Sequence, residues 1–182
     1  MGWLFLCHYE PRYCPSSQSF NPIKTFIFTT KIFIILSMVF KCKPFSLLSV
    51  HELYQVLRLR SEVFVVEQKC IFQDLDNKDQ HCLHVLMVDV DLKAYARLVP
   101  PGMSYLEMSI GRVITDPAIR GTGAGKRLMK FAIEQCYHHY GKGPIKIGAQ
   151  CYAAKFYGLF GFMQSGDVYD EDGIDHIEMI LN

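Results

Sequence analysis

A glycine-rich segment, Arg120-Gly-Thr-Gly-Ala-Gly-Lys126, has the residue types and spacing that could hold a phosphate group. Glycines just before a helix let backbone N–H groups approach an anion without a Cβ in the way. The positive end of the helix dipole adds to the attraction. The same glycines could also form a tight turn that binds nothing, and the segment by itself leaves both interpretations open.

Two common nucleotide-binding loops do not match this segment. A Walker A loop needs glycine at position 120 and serine or threonine at position 127, where this sequence has Arg120 and Arg127. The dinucleotide fingerprint GxGxxG fails because Lys126 stands where its last glycine is required, and no early βαβ unit surrounds the loop. A phosphate bound here therefore belongs to another class of ligand.

A second segment, Gln150-Cys-Tyr-Ala-Ala-Lys-Phe-Tyr-Gly-Leu-Phe-Gly-Phe162, follows at a suitable distance. Together the two segments resemble motifs of the GNAT acetyltransferases, Arg/Gln-x-x-Gly-x-Gly/Ala and then Asn-x-x-Ala-x-x-φ-Tyr-x-x-x-Gly-Phe, where φ is apolar. Arg120, Gly123 and Gly125 fill the first pattern, and only Gln150, in place of asparagine, departs from the second. Finer matches to the ElaA-like branch of this superfamily lie in residues 57–68, 73–76, 110–113 and 169–177.

The resemblance implies that acetyl-CoA is the cosubstrate and that an amine attacks it directly in a ternary complex. It also implies that the strand backbone at Val113–Thr115 pairs with the pantetheine arm, and that an amide of the same strand stabilises the oxyanion. Cofactor contacts are expected from Val113, Ile114, Thr115, Arg120, Gly121, Thr122, Gly123, Ala124, Gly125, Lys126, Gln150, Ala153 and Phe156. No metal is expected, because the Cys136-Tyr-His-His139 cluster lacks a fourth ligand at suitable spacing.

The resemblance makes Tyr157 the candidate general acid for the departing thiolate, and it leaves the general base open. In many GNAT enzymes a glutamate on the fourth strand is the base, but Ser109 occupies that position here. Glu107 is one candidate, since it lies two residues earlier on the same face of the expected strand. His176, on the expected substrate side of the sheet, is the other.

The elements that must position these residues follow from capping and periodicity. Ser49-Val-His-Glu52 is a capping-box pattern, and apolar residues at helical spacing predict a helix through about Val65. The predicted order is strand 38–43, helix 50–65, hairpin strands 82–88 and 92–99, strand 105–115, a helix after the glycine loop, strand 145–149, helix 153–160, and strands near 162 and over 174–181. With the resemblance, this order implies the GNAT α/β (α+β) fold, a central mixed, mostly antiparallel sheet with helices on both faces.

Composition places this chain of 182 residues among globular proteins with one ordinary domain, since half of it is apolar and a fifth is charged. A formal net charge of +1 gives no case for nucleic-acid binding. Seven scattered cysteines without a CxxC pair favour reduced thiols in a cytoplasmic protein.

Residues 1–37 differ in composition from the rest and carry few charges. Lys31 interrupts the apolar stretch and leaves only Ile32–Phe40, which is too short to span a membrane. No signal-peptide cleavage site follows. We therefore expect Met38 to be the natural start, residues 1–37 to be an upstream extension or an arm, and residues 38–182 to form the N-acetyltransferase domain. A membrane-associating arm is the alternative.

The expected activity is acetyl transfer from acetyl-CoA to a primary amine, more readily a small molecule than a peptide. A non-catalytic acyl-CoA sensor is one alternative, in which the phosphate cradle is present but no base operates. An acyl-homoserine-lactone-type synthase is another, suggested by Arg60, Phe64 and Glu67 but opposed by the Tyr157 motif. The sequence leaves open which amine is used and whether the protein forms a homodimer.

Overall fold

The computed structural model describes residues 38–182, and the expectations for residues 1–37 lie outside this range. The first helix continues without a break into a π-helical segment, Ser61–Glu67. The order of elements is the one predicted. The strands and helices are β1 (Val39–Pro44), α1 (Val50–Arg60), β2 (Leu83–Val88), β3 (Leu92–Val99), β4 (Ser109–Thr115), α2 (Ala124–Tyr140), β5 (Ile145–Gln150), α3 (Ala154–Gly158), β6 (Met163–Glu171) and β7 (Ile174–Leu181).

The strands form two antiparallel sheets, with the orders β1-β2-β3-β4 and β5-β7-β6. The inner edges, β4 and β5, are parallel and meet at one point. A bridge pairs Met108 with Ile145, and the Lys146 amide donates to the Met108 carbonyl over 2.9 Å. Beyond that point β4 pairs only with β3, and β5 only with β7. The two sheets therefore part along the lengths of β4 and β5.

Alternating side chains of the first sheet pack against helices on the two opposite faces of that sheet. Val85 and Met87 of β2 belong to the core that also holds Leu128 of α2. Leu86, between them, belongs to a second core with Val56 of α1. Since strand side chains alternate between the two faces, one helix covers each face of the sheet. This arrangement confirms the predicted GNAT fold class.

The helix starts follow from local chemistry. At α1 the predicted capping box is present, because the Glu52 amide donates to the Ser49 hydroxyl over 3.1 Å and the Ser49 amide donates to the Glu52 carboxylate over 3.0 Å. In α2 the apolar face predicted from helical spacing is buried at Leu128, Ala132 and Cys136. None of the helices in the described part of the chain is long and apolar enough to cross a membrane.

One predicted boundary is wrong, and it concerns a candidate base. The fourth strand begins at Ser109 and not at Tyr105, because turns and bends occupy residues 101–107 after the Pro100-Pro101-Gly102 sequence. Gly102 has a φ of 83°, which directs the chain into this loop. Glu107 therefore lies on a bend before the strand and has no strand face to share with Ser109.

Candidate active site

A cleft of about 1160 Å³ opens where β4 and β5 separate. Its walls come from β4, β5, β7 and the π-helical segment that follows α1. Side chains reach across it at one end: the Gln68 amide nitrogen lies 3.1 Å from the Gln150 side-chain oxygen and 3.2 Å from the Tyr152 hydroxyl. The separation of the strands thus creates a site that both sheets line.

Most of the residues predicted for the site meet in this cleft. Those that line it are Val113, Ile114, Thr115, Arg120, Gly125, Gln150, Ala153, Phe156, Tyr157 and His176. Gly121, Thr122, Gly123, Ala124 and Lys126 form the adjoining loop and the first turn of α2. Glu107 is not among the lining residues. Its negative charge helps, after Glu178, to raise the pKa of Lys146.

The glycine loop ends at the start of the 17-residue helix α2 in a form that suits an anion. Gly123 is the N-cap with a φ of 87°, no side chain caps the helix, and its first turn contains no acidic residue. Gly121 has a φ of 76°. A Cβ at Gly121 or Gly123 would meet nothing within 4 Å, whereas one at Gly125 would lie 3.7 Å from the Phe156 ring. The first amides of α2 are thus left for a ligand such as a diphosphate.

Arg120, the first residue of the loop, forms an ion pair with Glu67 at the end of the π-helical segment. The two N–O distances are 2.5 and 2.7 Å, and both side chains are about two-fifths exposed. The hydrogen bond from Arg120 holds the pKa of Glu67 below its ordinary value. Because the pair is exposed, it contributes little to stability, and a phosphate could compete with Glu67 for the guanidinium.

A β-bulge interrupts β4 where it lines the cleft. Tyr95 pairs with Ile114 but Arg97 pairs with Gly111, so the register shifts by one residue, and Arg112 has a φ of 53°. A bulge leaves a backbone amide outside the ladder. The Arg112 guanidinium fixes this conformation, because its Nε donates to the Asp74 carboxylate over 2.7 Å.

Behind the bulge, the acidic loop 73–80 is held by buried arginines. Arg60 is completely buried and donates to both Asp79 carboxylate oxygens over 2.8 and 2.9 Å, and Arg97 donates to Asp79 over 2.8 Å. Burial acts to raise the pKa of Asp79, but the hydrogen bond from Arg97 and the charge of Arg60 outweigh it, so the pKa lies below its ordinary value. These pairs connect α1, β3 and the loop that anchors Arg112.

Tyr157 lies on α3 at the edge of the cleft, with its ring among aromatic neighbours. The Phe156 and Phe162 rings lie 5.2 and 6.0 Å away in edge-on arrangements. Burial raises the pKa of Tyr157 to about 12. The hydroxyl therefore stays protonated at neutral pH and is available as a hydrogen-bond donor.

The second sheet presents a polar face to the cleft. In β5, Ile145, Ile147 and Ala149 are buried, so Gly148 and Gln150, which alternate with them, face the other way. Gln150 pairs across the ladder with His176, and His176 with Tyr169.

The geometry of His176 selects one tautomer of its ring. Its Nδ1 lies 2.8 Å from the carbonyl oxygen of Ile174. Since a carbonyl can only accept, Nδ1 carries the proton in this contact. The neutral ring then has its lone pair on Nε2, which makes Nε2 the nitrogen that can take up a proton.

Several residues that line the cleft were not predicted, among them Gln68, Ser104, Tyr105, Gly148 and Glu171. The alternation of Lys146, Gly148 and Gln150 with apolar residues was the available signal for the polar face of β5. Tyr105 and Glu171 carried no such signal, because their places depend on the loop before β4 and on strand pairing.

Other candidate residues have structural roles. His84 is a core histidine: one ring nitrogen lies 2.8 Å from the Tyr95 hydroxyl and the other 3.0 Å from the Asp79 carbonyl oxygen. Arg60 serves the buried ion network and does not line the cleft. Within residues 38–182, the cysteines are free thiols and no group of three potential ligands that could hold a metal is found.

Comparison with known proteins fits this geometry. A family model described as an acetyltransferase (GNAT) domain matches residues 49–182. The chain belongs to the GNAT acetyltransferase family. The match begins at the capping box of α1 and includes both sheets after β1. Membership in the GNAT family makes the protein a transferase, and the fold implies the use of an acyl-CoA.

Relatives of this GNAT protein include members of the ElaA-like branch. Protein ElaA of Escherichia coli is 44% identical over 137 residues, which are 74% of this chain and 90% of ElaA. A UPF0039 protein of Synechocystis is 43% identical over 139 residues, 75% of this chain and 90% of that protein. The resemblance to the ElaA-like branch is thereby confirmed.

Solved structures agree with the GNAT assignment. The crystal structure of Escherichia coli ElaA matches with a TM-score of 0.75 and 40% identity, covering 80% of this chain and 99% of that one. An acyl-CoA N-acyltransferase from Pseudomonas aeruginosa matches with a TM-score of 0.76 and 38% identity, covering 79% and 99%.

Proposed function

We propose that the protein transfers an acetyl group from acetyl-CoA to a small primary amine that attacks the thioester directly in a ternary complex. One observation carries the proposal. The uncapped N-terminus of α2, with its glycine loop, adjoins the same cleft that Tyr157 and His176 line. Groups suited to bind a diphosphate, to donate to a thiolate and to accept a proton therefore share one site.

On the donor side, the pyrophosphate would bind to the amides of Arg120–Lys126, and the pantetheine arm would pair with the backbone of Val113–Thr115. Both stretches adjoin or line the cleft. The bulge at Arg112 supports an oxyanion role for a β4 amide, because a bulged strand leaves an N–H unpaired where charge develops. Gln150, Ala153 and Phe156 would complete the contacts to the cosubstrate.

Tyr157 would donate its hydroxyl hydrogen to the sulfur as coenzyme A leaves. A free thiol has a pKa near ~8.5, so the thiolate is a moderate leaving group that benefits from one hydrogen bond without requiring complete protonation. Because burial raises the pKa of Tyr157 to about 12, its hydroxyl would stabilise the thiolate by donating a hydrogen bond and not by complete proton transfer.

His176 would accept the proton of the attacking amine at Nε2. An alkyl ammonium with a pKa near ~10.4 must lose this proton, at a cost of about 4–5 kcal/mol at neutral pH. The contact of Nδ1 with the Ile174 carbonyl supports His176 over Glu107, which does not line the cleft.

Replacing His176 with glutamine is expected to lower kcat by about 10- to 1000-fold, because glutamine keeps a polar side chain but cannot take up a proton. The affinity for acetyl-CoA, measured by calorimetry, should stay within about twofold of wild type. Glu107→Gln is the matched comparison, and it should retain most of the activity. If Glu107→Gln instead causes the larger loss of kcat, Glu107 is the base and His176 is not.

The proposed function itself is tested by measuring the release of free thiol from acetyl-CoA in the presence of different acceptors. The acceptors are small primary amines and peptides with a free amino terminus. We expect turnover with at least one small amine, and a loss of about 10- to 100-fold in kcat for Tyr157→Phe at unchanged acetyl-CoA affinity. Acetyl-CoA that binds tightly without turnover on any acceptor would instead identify a sensor. Acylation that requires an acyl carrier protein would identify a synthase of the acyl-homoserine-lactone type.

A further inference from the structure

Two tyrosine hydroxyls meet above Gly148 at one end of the cleft. A Cβ placed on Gly148 would lie 2.8 Å from the Tyr169 hydroxyl oxygen and 3.1 Å from the Tyr105 hydroxyl oxygen. At both distances a Cβ would force the hydroxyl to shift. The two hydroxyls can occupy these positions because residue 148 is a glycine. Tyr105 and Gly148 both line the cleft. Tyr105 therefore forms part of its wall, and the Tyr169 hydroxyl adjoins it.

Both tyrosine rings are held in place by their neighbours. The Tyr169 ring stacks on His176, with centroids 5.8 Å apart and planes inclined by 30°. The Lys146 ammonium lies 5.0 Å from the centre of the Tyr105 ring, and Glu178 balances its charge at 2.9 Å. The Tyr169 ring thus connects this meeting point with the histidine proposed as the base.

The polar groups at this end of the cleft are able to accept hydrogen bonds. The Tyr105 and Tyr169 hydroxyl oxygens converge beside Gly148, and the negative charge of Glu171 acts on both tyrosines. A hydroxyl oxygen accepts as well as donates, and a carboxylate only accepts. The Tyr105 oxygen and the Glu171 carboxylate can therefore both accept from a ligand that donates.

Two carboxylates act on Tyr105. Burial, and after it the negative charges of Glu178 and Glu171, raise the pKa of Tyr105. Glu171 itself lines the cleft. Primary alkylamines have a pKa near ~10.4 and therefore arrive at neutral pH as ammonium ions with three donors.

We propose that the Tyr105 hydroxyl oxygen and the Glu171 carboxylate bind the ammonium form of the acceptor, so that the enzyme selects cationic primary amines. Tyr169 is a positioning residue, since its hydroxyl lies beside that of Tyr105 at Gly148. The inference rests on the proposed function, because it assumes that the acceptor amine binds at this end of the cleft. His176, next to Tyr169, would then take the proton from an amine that is already in place.

The test compares two probes of the same carbon skeleton, phenethylamine and phenethyl alcohol, by calorimetry. The full chain is saturated with free coenzyme A, which cannot acetylate the probe. We expect wild type to bind the amine at least about tenfold more tightly than the alcohol. Glu171→Gln should reduce this preference to about threefold or less, and raising the salt concentration should weaken it in wild type. The proposal is overturned if the amine binds no more tightly than the alcohol, or if neither probe binds.

Two further variants separate this role from a general effect of charge or folding. Asp175→Asn removes an exposed carboxylate from the same hairpin on the opposite face of β7, and it should leave the preference unchanged. Gly148→Ala should reduce the preference without removing any charged group, because its Cβ displaces the two hydroxyls from their present positions. An equal loss in Asp175→Asn and Glu171→Gln contradicts the proposal, provided that both variants melt as wild type does.

The binding assay needs no turnover, so its result does not depend on whether the protein catalyses acetyl transfer. Acetyl transfer to amines without a preference for the cationic probe would overturn only the role of Tyr105 and Glu171. A preference for the cationic probe without acetyl transfer to any amine would overturn only the proposed reaction.

Discussion

Replacing Gly123 with glutamate is expected to weaken acetyl-CoA binding at least about 100-fold while leaving the protein folded. A Cβ at this position meets nothing within 4 Å, so the substitution causes no collision. The φ of 87° costs a non-glycine residue about 1–2 kcal/mol. The new carboxylate would take the place of the pyrophosphate at the α2 amides, and each charge-assisted bond lost there is worth about 1.5–3 kcal/mol.

Gly141→Glu is the matched control for this prediction. Gly141 follows the other end of α2 and likewise has nothing within 4 Å of its Cβ position. Its φ of 83° and ψ of 168° strain a side chain more than the conformation of Gly123 does, so its thermal unfolding is measured alongside. Calorimetry with acetyl-CoA should show an affinity within about twofold of wild type for Gly141→Glu. Gly123→Ala, with the same backbone strain but no charge, should lie between the two. Unchanged affinity in Gly123→Glu would remove the glycine loop from the proposed binding site.

Replacing Asp79 with asparagine is expected to lower the free energy of unfolding by about 3–5 kcal/mol. The Asp79 carboxylate is buried and accepts from both Arg60 and Arg97. Asparagine has a similar shape but no charge, so two buried guanidinium groups would lose a shared counterion. Asp89→Asn, at an exposed position of the β2–β3 turn, should change stability by less than about 0.5 kcal/mol.

The same network predicts how stability depends on acid. Because the folded-state pKa of Asp79 is lowered, its contribution is complete above its unfolded pKa of ~3.9 and is lost as the pH falls through the folded value. Chemical denaturation of wild type should therefore show a steep loss of stability below about pH 4. The loss should be shallower in Asp79→Asn. Parallel curves for the two proteins would show that Asp79 is not the group that titrates.

Local signals were sufficient to predict the parts of the site that lie within one stretch of chain. The glycine loop and the helix after it depend on φ angles and amides of neighbouring residues, so Arg120–Lys126 could be interpreted directly. The Ser49–Glu52 capping box is equally local, and both of its hydrogen bonds are present.

Contacts between distant residues could not be predicted in the same way. In the sequence, Asp74 stood out only as part of the matched stretch 73–76, yet it binds Arg60, 14 residues away, and Arg112, 38 residues away. Apolar content suggested a strand from Tyr105, but the loop at Gly102 delays it to Ser109. Tyr105 then turns toward Tyr169, a neighbour that only the pairing of β6 with β7 brings near.

The parting of β4 from β5 gives this protein two open strand edges in its interior. Open edges are templates on which another extended chain can add, and β-proteins usually keep them covered. Here they face each other across the cleft. An acyl donor lying along Val113–Thr115 would act as the missing strand and tie the two sheets together. Occupancy of the cleft should then protect the protein from self-association as well as prepare it for catalysis.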